Sequence, residues 1–153
     1  MKFDEFLIAL GLEHRLNLAD TVQTGACSIE FDNGLTVNIE RDTHSDVMQA
    51  YCVLGNAPAT HRDAFFAMLL QAHLFGAATD DCMFGFEPRQ DQVILFRTIA
   101  LANTDGHTAI AQLEALINQA VRWRDDFSEL IEAWEQNVVQ AAVSVAQTVA
   151  AHV

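Results

Sequence analysis

The sequence predicts an α+β protein with a single domain, in which helices flank a twisted antiparallel sheet. Three observations support this prediction. The length of 153 residues suits one domain. Apolar and polar residues alternate on both sides of Asn33-Gly34, as in a β-hairpin. Apolar residues recur at helical spacing near the start, in the middle and towards the end. The expected order is helix, three strands, helix, two strands, helix.

Composition limits the classes of partner. Hydrophobic residues make up 51% of the chain and charged residues 19%, which is enough apolar material for a packed core. The 8 Lys and Arg residues are outnumbered by 21 Asp and Glu residues, so the formal net charge is −13. A field of this sign repels nucleic-acid phosphates and anionic membrane surfaces, and we expect no nucleic-acid partner. The acidity serves either solubility alone or partner choice as well.

The sequence also lacks the features of export and membrane insertion. Residues 1–6 carry acids where a signal peptide has a basic region and an apolar run. No stretch approaches the roughly 18 uninterrupted apolar residues of a membrane span. Cys27, Cys52 and Cys82 are far apart and odd in number, which favours reduced thiols over a disulfide framework. We therefore expect a cytoplasmic location and no membrane insertion.

The first helix is expected over residues 3–10. Its apolar residues fall at i, i+3, i+4 and i+7 and line one face: Phe3, Phe6, Leu7 and Leu10. Gly11 is the expected end of the helix. A helix this short is marginal alone, so we expect it to dock on the hairpin that follows.

The hairpin is expected over residues 26–40, and its turn length decides which side chains share a face. A two-residue loop would pair Phe31 with Thr36 and mix apolar with polar positions. A three-residue loop, residues 32–34 with Gly34 left-handed, pairs Phe31 with Leu35 and separates the two kinds. This second register is the prediction, and it places one set on the apolar face: Cys27, Ile29, Phe31, Leu35, Val37 and Ile39.

The middle of the chain predicts a strand and a very apolar helix. The third strand is expected at residues 47–54, followed by a break at 55–58. Thr60 is the expected N-cap of a helix that runs to about Phe75. The apolar arc of this helix is wider than one core contact requires. It contains Phe65, Phe66, Met68, Leu69, Leu70, Leu74 and Phe75.

Two more strands and a long helix complete the predicted order. The strands are expected at residues 82–86 and 92–101, and the second is apolar on both faces, which predicts cover on both sides. The long helix is expected from about Thr108. Residues 138–153 are rich in Ala and Val and either continue this helix or fray. The predicted domain is therefore residues 1–137.

No pattern in the sequence predicts catalysis, a metal site or a cofactor. The six histidines are scattered, and none stands at zinc-ligand spacing from another His, Cys or acid. Asp80-Asp81 has no complementary base or nucleophile nearby, so a solvated turn explains it better than an active site. No phosphate-binding glycine loop or nucleophile elbow occurs. The sequence favours a protein that binds another polypeptide.

Several segments together resemble one bacterial family. They are residues 26–42, the run Phe84-Gly-Phe-Glu-Pro88, residues 93–101 and the long helix that holds Trp123. In these residues and in the order of elements the chain resembles class I type III secretion chaperones, the Tir-chaperone-like family. The resemblance covers residues 3–135.

The resemblance implies a cytosolic bacterial homodimer without a cofactor. Such proteins bind the N-terminal segment of a secreted effector polypeptide and keep it competent for export without ATP. An alternative role is regulatory, in which the protein exchanges partners to couple secretion to gene expression. An enzyme of uncharacterised type is the rival from another class.

Surplus apolar residues supply the candidate sites, with a well-filled monomer core as the alternative explanation. We expect effector binding on the first helix and hairpin, at Phe3, Phe6, Leu7, Leu10, Ile29, Phe31, Leu35, Val37 and Ile39. We expect the dimer interface, where the family places it, at Phe65, Phe66, Leu69, Leu70, Phe84 and Phe86.

Overall fold

The computed structural model describes residues 1–150, with side chains described for residues 1–137 and 140. The helices and strands are α1 (Phe3–His14), α2 (Ala19–Thr24), β1 (Ala26–Glu30), β2 (Thr36–Arg41), β3 (Val47–Asn56), α3 (Arg62–Ala72), β4 (Met83–Glu87), β5 (Gln92–Ala100) and α4 (Gly106–Ala150). A single 3-10 turn, Leu74–Gly76, follows α3. The α+β class and the predicted order are confirmed. The structure adds one element that the sequence did not predict, the short helix α2.

The five strands form one antiparallel sheet in the order β1-β2-β3-β5-β4. Helices α1 and α4 pack on one face of this sheet. On that face Val37, Cys52 and Leu95 are fully buried. On the other face, Ile94 and Phe96 of β5 are only half-buried. The prediction that β5 is covered on both sides is therefore wrong for the single chain, because the helices in the described residues cover one side.

Helix α1 extends one turn beyond the predicted end at Gly11. Arg15, in the left-handed conformation with φ 58°, ends the helix, and the backbone N–H of Leu16 donates to the Gly11 carbonyl at 3.0 Å. A Cβ on residue 11 would lie 2.9 Å from the Leu16 carbonyl oxygen. Gly11 is thus needed for the tight return of the chain after the helix and does not stop the helix itself.

The hairpin has the predicted register. Ile29 pairs with Val37 and Cys27 with Ile39, and the Phe31 N–H donates to the Leu35 carbonyl at 2.9 Å. Gly34 is left-handed, with φ 75°, which a residue with a side chain rarely adopts. The three-residue turn therefore sorts the apolar and polar faces as expected.

Helix α3 is shorter than predicted at both ends. It starts at Arg62 after His61, which is left-handed and gives no side-chain cap bond, so Thr60 is not the N-cap. It ends at Ala72, and Phe75 is left-handed with φ 56°. A left-handed aromatic residue cannot continue a right-handed helix, which is why the predicted end at about Phe75 is wrong.

Helix α4 packs on the sheet and on α3 through a stripe of apolar side chains. Ala109, Leu113, Leu116, Ala120 and Phe127 are buried along it. The helical backbone runs on to Ala150. The predicted boundary at residue 137 stays a prediction, because the extension at 138–153 falls almost wholly outside the residues whose side chains are described.

Candidate functional site

A groove with a volume of about 270 Å³ opens between the end of α1, the first hairpin and the start of α4. Its walls are mainly apolar. It is lined by Leu10, His14, Leu16, Ile29, Glu30, Phe31, Asp32, Val37, Ile110, Leu113, Glu114 and Ile117. We call it the α1–β1 groove.

The apolar floor of the α1–β1 groove consists of residues that belong to the core. Leu10 is 2% exposed and Val37 is fully buried. Ile29, Phe31 and Ile117 are half-buried and pack against this core with one side. These three side chains therefore offer an apolar surface that a second polypeptide can cover.

The groove lies beside an unpaired strand edge. Strand β1 is first in the sheet order and pairs only with β2. Hydrogen bonds of Phe31 with Leu35, and of Arg41 with the Gly25 carbonyl, fix which β1 residues face β2. Since the direction alternates along a strand, the backbone N–H and C=O groups of Ser28 and Glu30 point away from the sheet. An added strand can bond to them.

The predicted effector-binding residues divide into two groups in the structure. Seven are between 0% and 4% exposed and form the core between α1 and the sheet: Phe3, Phe6, Leu7, Leu10, Leu35, Val37 and Ile39. Ile29 and Phe31 are half-buried at the groove. Helices α1 and α4 together cover more of the hairpin than the sequence indicated, so the surface open to a partner is smaller. The role of all nine residues in binding stays a prediction.

The groove also contains residues that the sequence analysis did not assign to it. Leu16 follows α1, and Ile110, Leu113 and Ile117 come from α4. The helical spacing of the α4 residues was visible in the sequence, but nothing there showed that α4 crosses the end of the hairpin. Only the fold brings these residues together.

The predicted dimer residues also divide. Phe65, Leu69 and Phe84 are buried in the described chain. The Phe65 ring packs edge-to-face on Phe127 and Trp134, with both centroid distances 5.9 Å. These three residues thus stabilise the single chain whatever its oligomeric state.

The other three predicted dimer residues remain accessible. Leu70 is 60% exposed, Phe86 is 37% exposed and Phe66 is half-buried. The Phe66 and Phe86 rings lie 4.8 Å apart, and the Arg62 guanidinium stacks over both. Their part in an interface is likewise a prediction.

The cysteines do not form a reactive centre in the described residues. All three are free thiols, and Cys52 and Cys82 are fully buried. Burial raises the pKa of Cys52 to about 12 and also raises the pKa of Cys82 and Cys27. Since the thiolate is the reactive form, these thiols are poor nucleophiles near neutral pH.

One group of potential metal ligands stands out among the described residues. Donor atoms of Glu13, His14 and Glu114 lie within 4.8 Å of one another, and all three residues are exposed. The distance from His14 Nε2 to Glu114 Oε1 is 3.8 Å. Exposed acids of this kind are common without an ion, and no buried polar group supports a metal here. The expected absence of a metal stays a prediction.

Solved structures with this fold include three complexes. The ExsC–ExsE complex matches with a TM-score of 0.62 at 19% identity, over 82% of this chain and 96% of that chain. The ExoU–SpcU heterodimer of the Pseudomonas aeruginosa type III secretion system matches at 0.59 and 15%, over 82% and 93%. The HopA1–SchA chaperone–effector complex matches at 0.59 and 14%, over 82% and 98%. The fold is therefore that of the type III secretion chaperones.

The family follows from the sequence. The model of the Tir chaperone protein (CesT) family matches residues 7–124, and the chain belongs to this family. The resemblance stated from the sequence is thus confirmed. A comparison with curated proteins gives no match. In the described part of the chain, none of the helices has the length and apolar character needed to cross a membrane.

Proposed function

We propose that this protein is a cytoplasmic bacterial chaperone that binds the N-terminal segment of a type III secreted effector and keeps it export-competent. Two findings support the proposal: the family is a chaperone family, and related folds occur in complexes such as HopA1–SchA, a chaperone–effector complex. The binding needs neither ATP nor another cofactor, because the occupant is a polypeptide held by apolar contacts and backbone hydrogen bonds.

The observation that carries the proposal is the apolar groove beside the unpaired β1 edge. A segment in extended conformation can add a strand at Ser28 and Glu30 and turn alternate side chains into the groove. There they would cover Ile29 and Phe31, which are half-buried in the chain alone. Burial of each large apolar side chain stabilises the complex by about 1.5–3 kcal/mol, so apolar contacts dominate the affinity.

The first test is co-purification from the native host. We expect one or a few secreted proteins to accompany the folded chain, in complexes that survive moderate salt because the contacts are chiefly apolar. If no secreted protein accompanies it, the proposed chaperone function is wrong.

The second test places the site. Ile29→Glu with Phe31→Glu puts two charges into the groove and is expected to abolish capture of the co-purified protein. The matched control is Ala111→Glu with Ala133→Glu, which adds the same charge at exposed positions of α4 outside the groove. Circular dichroism confirms folding of both. If folded Ile29→Glu with Phe31→Glu binds as tightly as the control, the partner docks elsewhere.

We also propose that the protein is a homodimer that buries the accessible aromatic surface of α3 and β4. Leu70, Phe86 and the half-buried Phe66 support this placement, and so does Phe75, which is 94% exposed beside them in the chain. An apolar surface of this kind is unfavourable in water and marks a protein interface.

Light scattering decides the oligomeric state. We expect the mass of two chains at micromolar concentration, and the mass of one chain for Leu70→Asp with Phe86→Asp. Both substituted side chains are accessible, so the variant is expected to fold. A wild-type protein with the mass of one chain would contradict the dimer, and a dimeric variant would contradict its placement.

The proposed function includes no catalysis and no metal. Elemental analysis of protein purified without added metal is expected to show none in stoichiometric amount. A stoichiometric metal that is lost in His14→Ala would instead assign the Glu13–His14–Glu114 group as a metal site.

A further inference from the structure

Carboxylates border the α1–β1 groove on both sides. Asp32 lies on the hairpin side and Glu114 on the helix side, where Glu13 and His14 are next to it. Glu30 lines the hairpin side through its backbone, and its side chain points to the opposite face. All 8 Lys and Arg residues are in the described part of the chain, and none of them forms an ion pair with these four carboxylates there. The groove thus has an apolar floor between Asp32 and Glu114, and neither carboxylate is paired with a Lys or Arg; the ring of His14 lies 3.8 Å from Glu114.

We propose that the segment bound in this groove carries Lys or Arg at positions between its apolar anchors. This inference rests on the proposed function and adds the chemistry of the partner. Glu30, Asp32 and Glu114 would determine which segments are accepted, and the apolar floor would supply most of the affinity.

The position of Glu30 on the free edge gives the spacing. Along β1, Ile29 and Phe31 point towards the groove and Glu30 points to the opposite face. In an added strand, the residues on either side of the one opposite Glu30 point into the groove. The residue opposite Glu30 shares its face and is its direct cross-strand neighbour. Opposite charges at such a pair are favourable, which gives the order apolar, basic, apolar.

The helix side of the groove favours a second basic residue. Leu16 and Ile117 lie near Glu114 in the lining of the groove. A Lys or Arg that enters there can lay its methylene groups along these apolar side chains and direct its charge to Glu114. Donor atoms of Glu13, His14 and Glu114 lie within 4.8 Å of one another, so a cation that enters there is attracted by two carboxylates.

Solubility alone does not account for this arrangement. A net charge of −13 is served by acids anywhere on the surface. Here Asp32 and Glu114 stand on the two sides of an apolar groove, and Glu30 is a residue whose backbone faces the free edge. Charges at the rim of an interface chiefly set specificity and association rate. This is the role that the inference gives to Glu30, Asp32 and Glu114.

Selection of random peptides tests the inference without knowledge of the natural partner. A library of short random peptides displayed on phage is panned against the full chain. A second panning uses Glu30→Lys with Glu114→Lys, and a third uses Glu129→Lys with Glu132→Lys, a matched change at exposed positions of α4 outside the groove. Circular dichroism confirms that each protein folds, and the Gln pair at 30 and 114 replaces the Lys pair if the latter does not.

We expect the wild type and the control to select peptides with alternating apolar residues and an excess of Lys and Arg between them. The groove variant, Glu30→Lys with Glu114→Lys, is expected to lose this excess. Replacing the basic residue of a selected peptide by Ala should weaken binding to the wild type about two- to fivefold, and binding to the groove variant not at all.

Two results would overturn the inference, and they differ. Alternating apolar peptides without a basic excess, or an excess that persists in the groove variant, would refute the charge specificity and leave the proposed chaperone function intact. Selected peptides that bind Ile29→Glu with Phe31→Glu as well as wild type would show that the groove is not the binding site, and both proposals would fail.

Discussion

The two edges of the sheet differ in what their outward backbone groups meet. At the β4 edge, the Phe84 N–H donates to His73 Nδ1 at 2.8 Å, and Thr79 Oγ1 donates to the Cys82 carbonyl at 2.6 Å. At the β1 edge, the backbone groups of Ser28 and Glu30 have no such partner among the described residues. The chain thus closes the start of the β4 edge with its own side chains, as Thr24 Oγ1 does for the Ala26 carbonyl at the start of β1, and leaves the groups of Ser28 and Glu30 open.

This difference indicates where a polypeptide can add. Folded proteins usually protect a free strand edge, because it can pair with any extended chain. Here the open groups of β1 lie beside an apolar groove, and the closed start of the β4 edge is next to the aromatic surface of α3. We infer that the β1 edge is the one that recognises an extended segment.

The largest expected effect tests whether Phe65, which the sequence analysis assigned to the dimer interface, belongs to the core of the single chain. Phe65 is fully buried against Phe127 and Trp134, so Phe65→Ala should lower the free energy of unfolding by about 3–5 kcal/mol. The control Phe75→Ala, at a 94% exposed position, should change it by less than about 0.5 kcal/mol. Urea denaturation measures both, and equal losses would contradict the division into core and surface.

The next effect is expected when the hydrogen bond that closes the start of the β4 edge is removed. His73→Leu removes the acceptor of the Phe84 N–H, and an unsatisfied, partly buried donor costs about 1–2 kcal/mol. Hydrogen exchange at the Phe84 amide should become faster, whereas His107→Leu, at an exposed residue, should leave it unchanged. Unaltered exchange in His73→Leu would mean that this bond does not protect the edge.

A smaller effect is expected when a proline blocks the open β1 edge. Ser28→Pro removes an outward N–H and no bond to β2, since Ser28 lies between the bonded positions. Stability should fall by less than about 1 kcal/mol, while partner binding, measured by titration calorimetry, should weaken about fivefold or more. Ser28→Ala is the control for the lost hydroxyl bond to Asn38. Full affinity in the proline variant would exclude strand addition at this position.

The smallest effect concerns an exposed ion pair on the β4 side. Arg62 holds the pKa of Asp91 below its ordinary value through their hydrogen bond. At pH values above the usual pKa of an aspartate, the pair therefore stabilises the fold. This contribution disappears as the pH falls through the lowered pKa of Asp91. Asp91→Asn keeps a residue that tolerates the positive φ of this position.

Thermal unfolding of wild type and Asp91→Asn over a pH series measures this contribution. The difference in midpoint should be small at neutral pH and should shrink on acidification. A difference that grows as the pH falls would show that the pair does not act through the charge of Asp91.

Local patterns account for the part of the fold that the sequence predicted. The hairpin register follows from alternation at residues 26–40 and one turn glycine, and both act within a few residues. The long helix likewise follows from its own spacing. Helix α2 was missed because its six residues, Ala19–Thr24, include Thr and Val and complete no apolar stripe.

The candidate site was harder to predict because it depends on how elements pack. The apolar face of the hairpin was correct as a set, but in the folded chain Val37 and Ile39 are fully buried and Ile29 and Phe31 are half-buried. Hydrophobic pattern does not distinguish these pairs, since all four residues have the same periodicity. The angle and length of α1 and α4 decide between core and groove.

The turn at residues 32–34 constrains how this protein family can change in length during evolution. The turn sets the pairing of Ile29 with Val37, and side chains alternate with a period of two. An insertion of one residue that the loop does not absorb as a bulge would move the β1 side chains to the wrong face, taking Ile29 out of the groove and Glu30 into it. Insertions and deletions that the turn cannot absorb should therefore be even-numbered among descendants that keep the same partner.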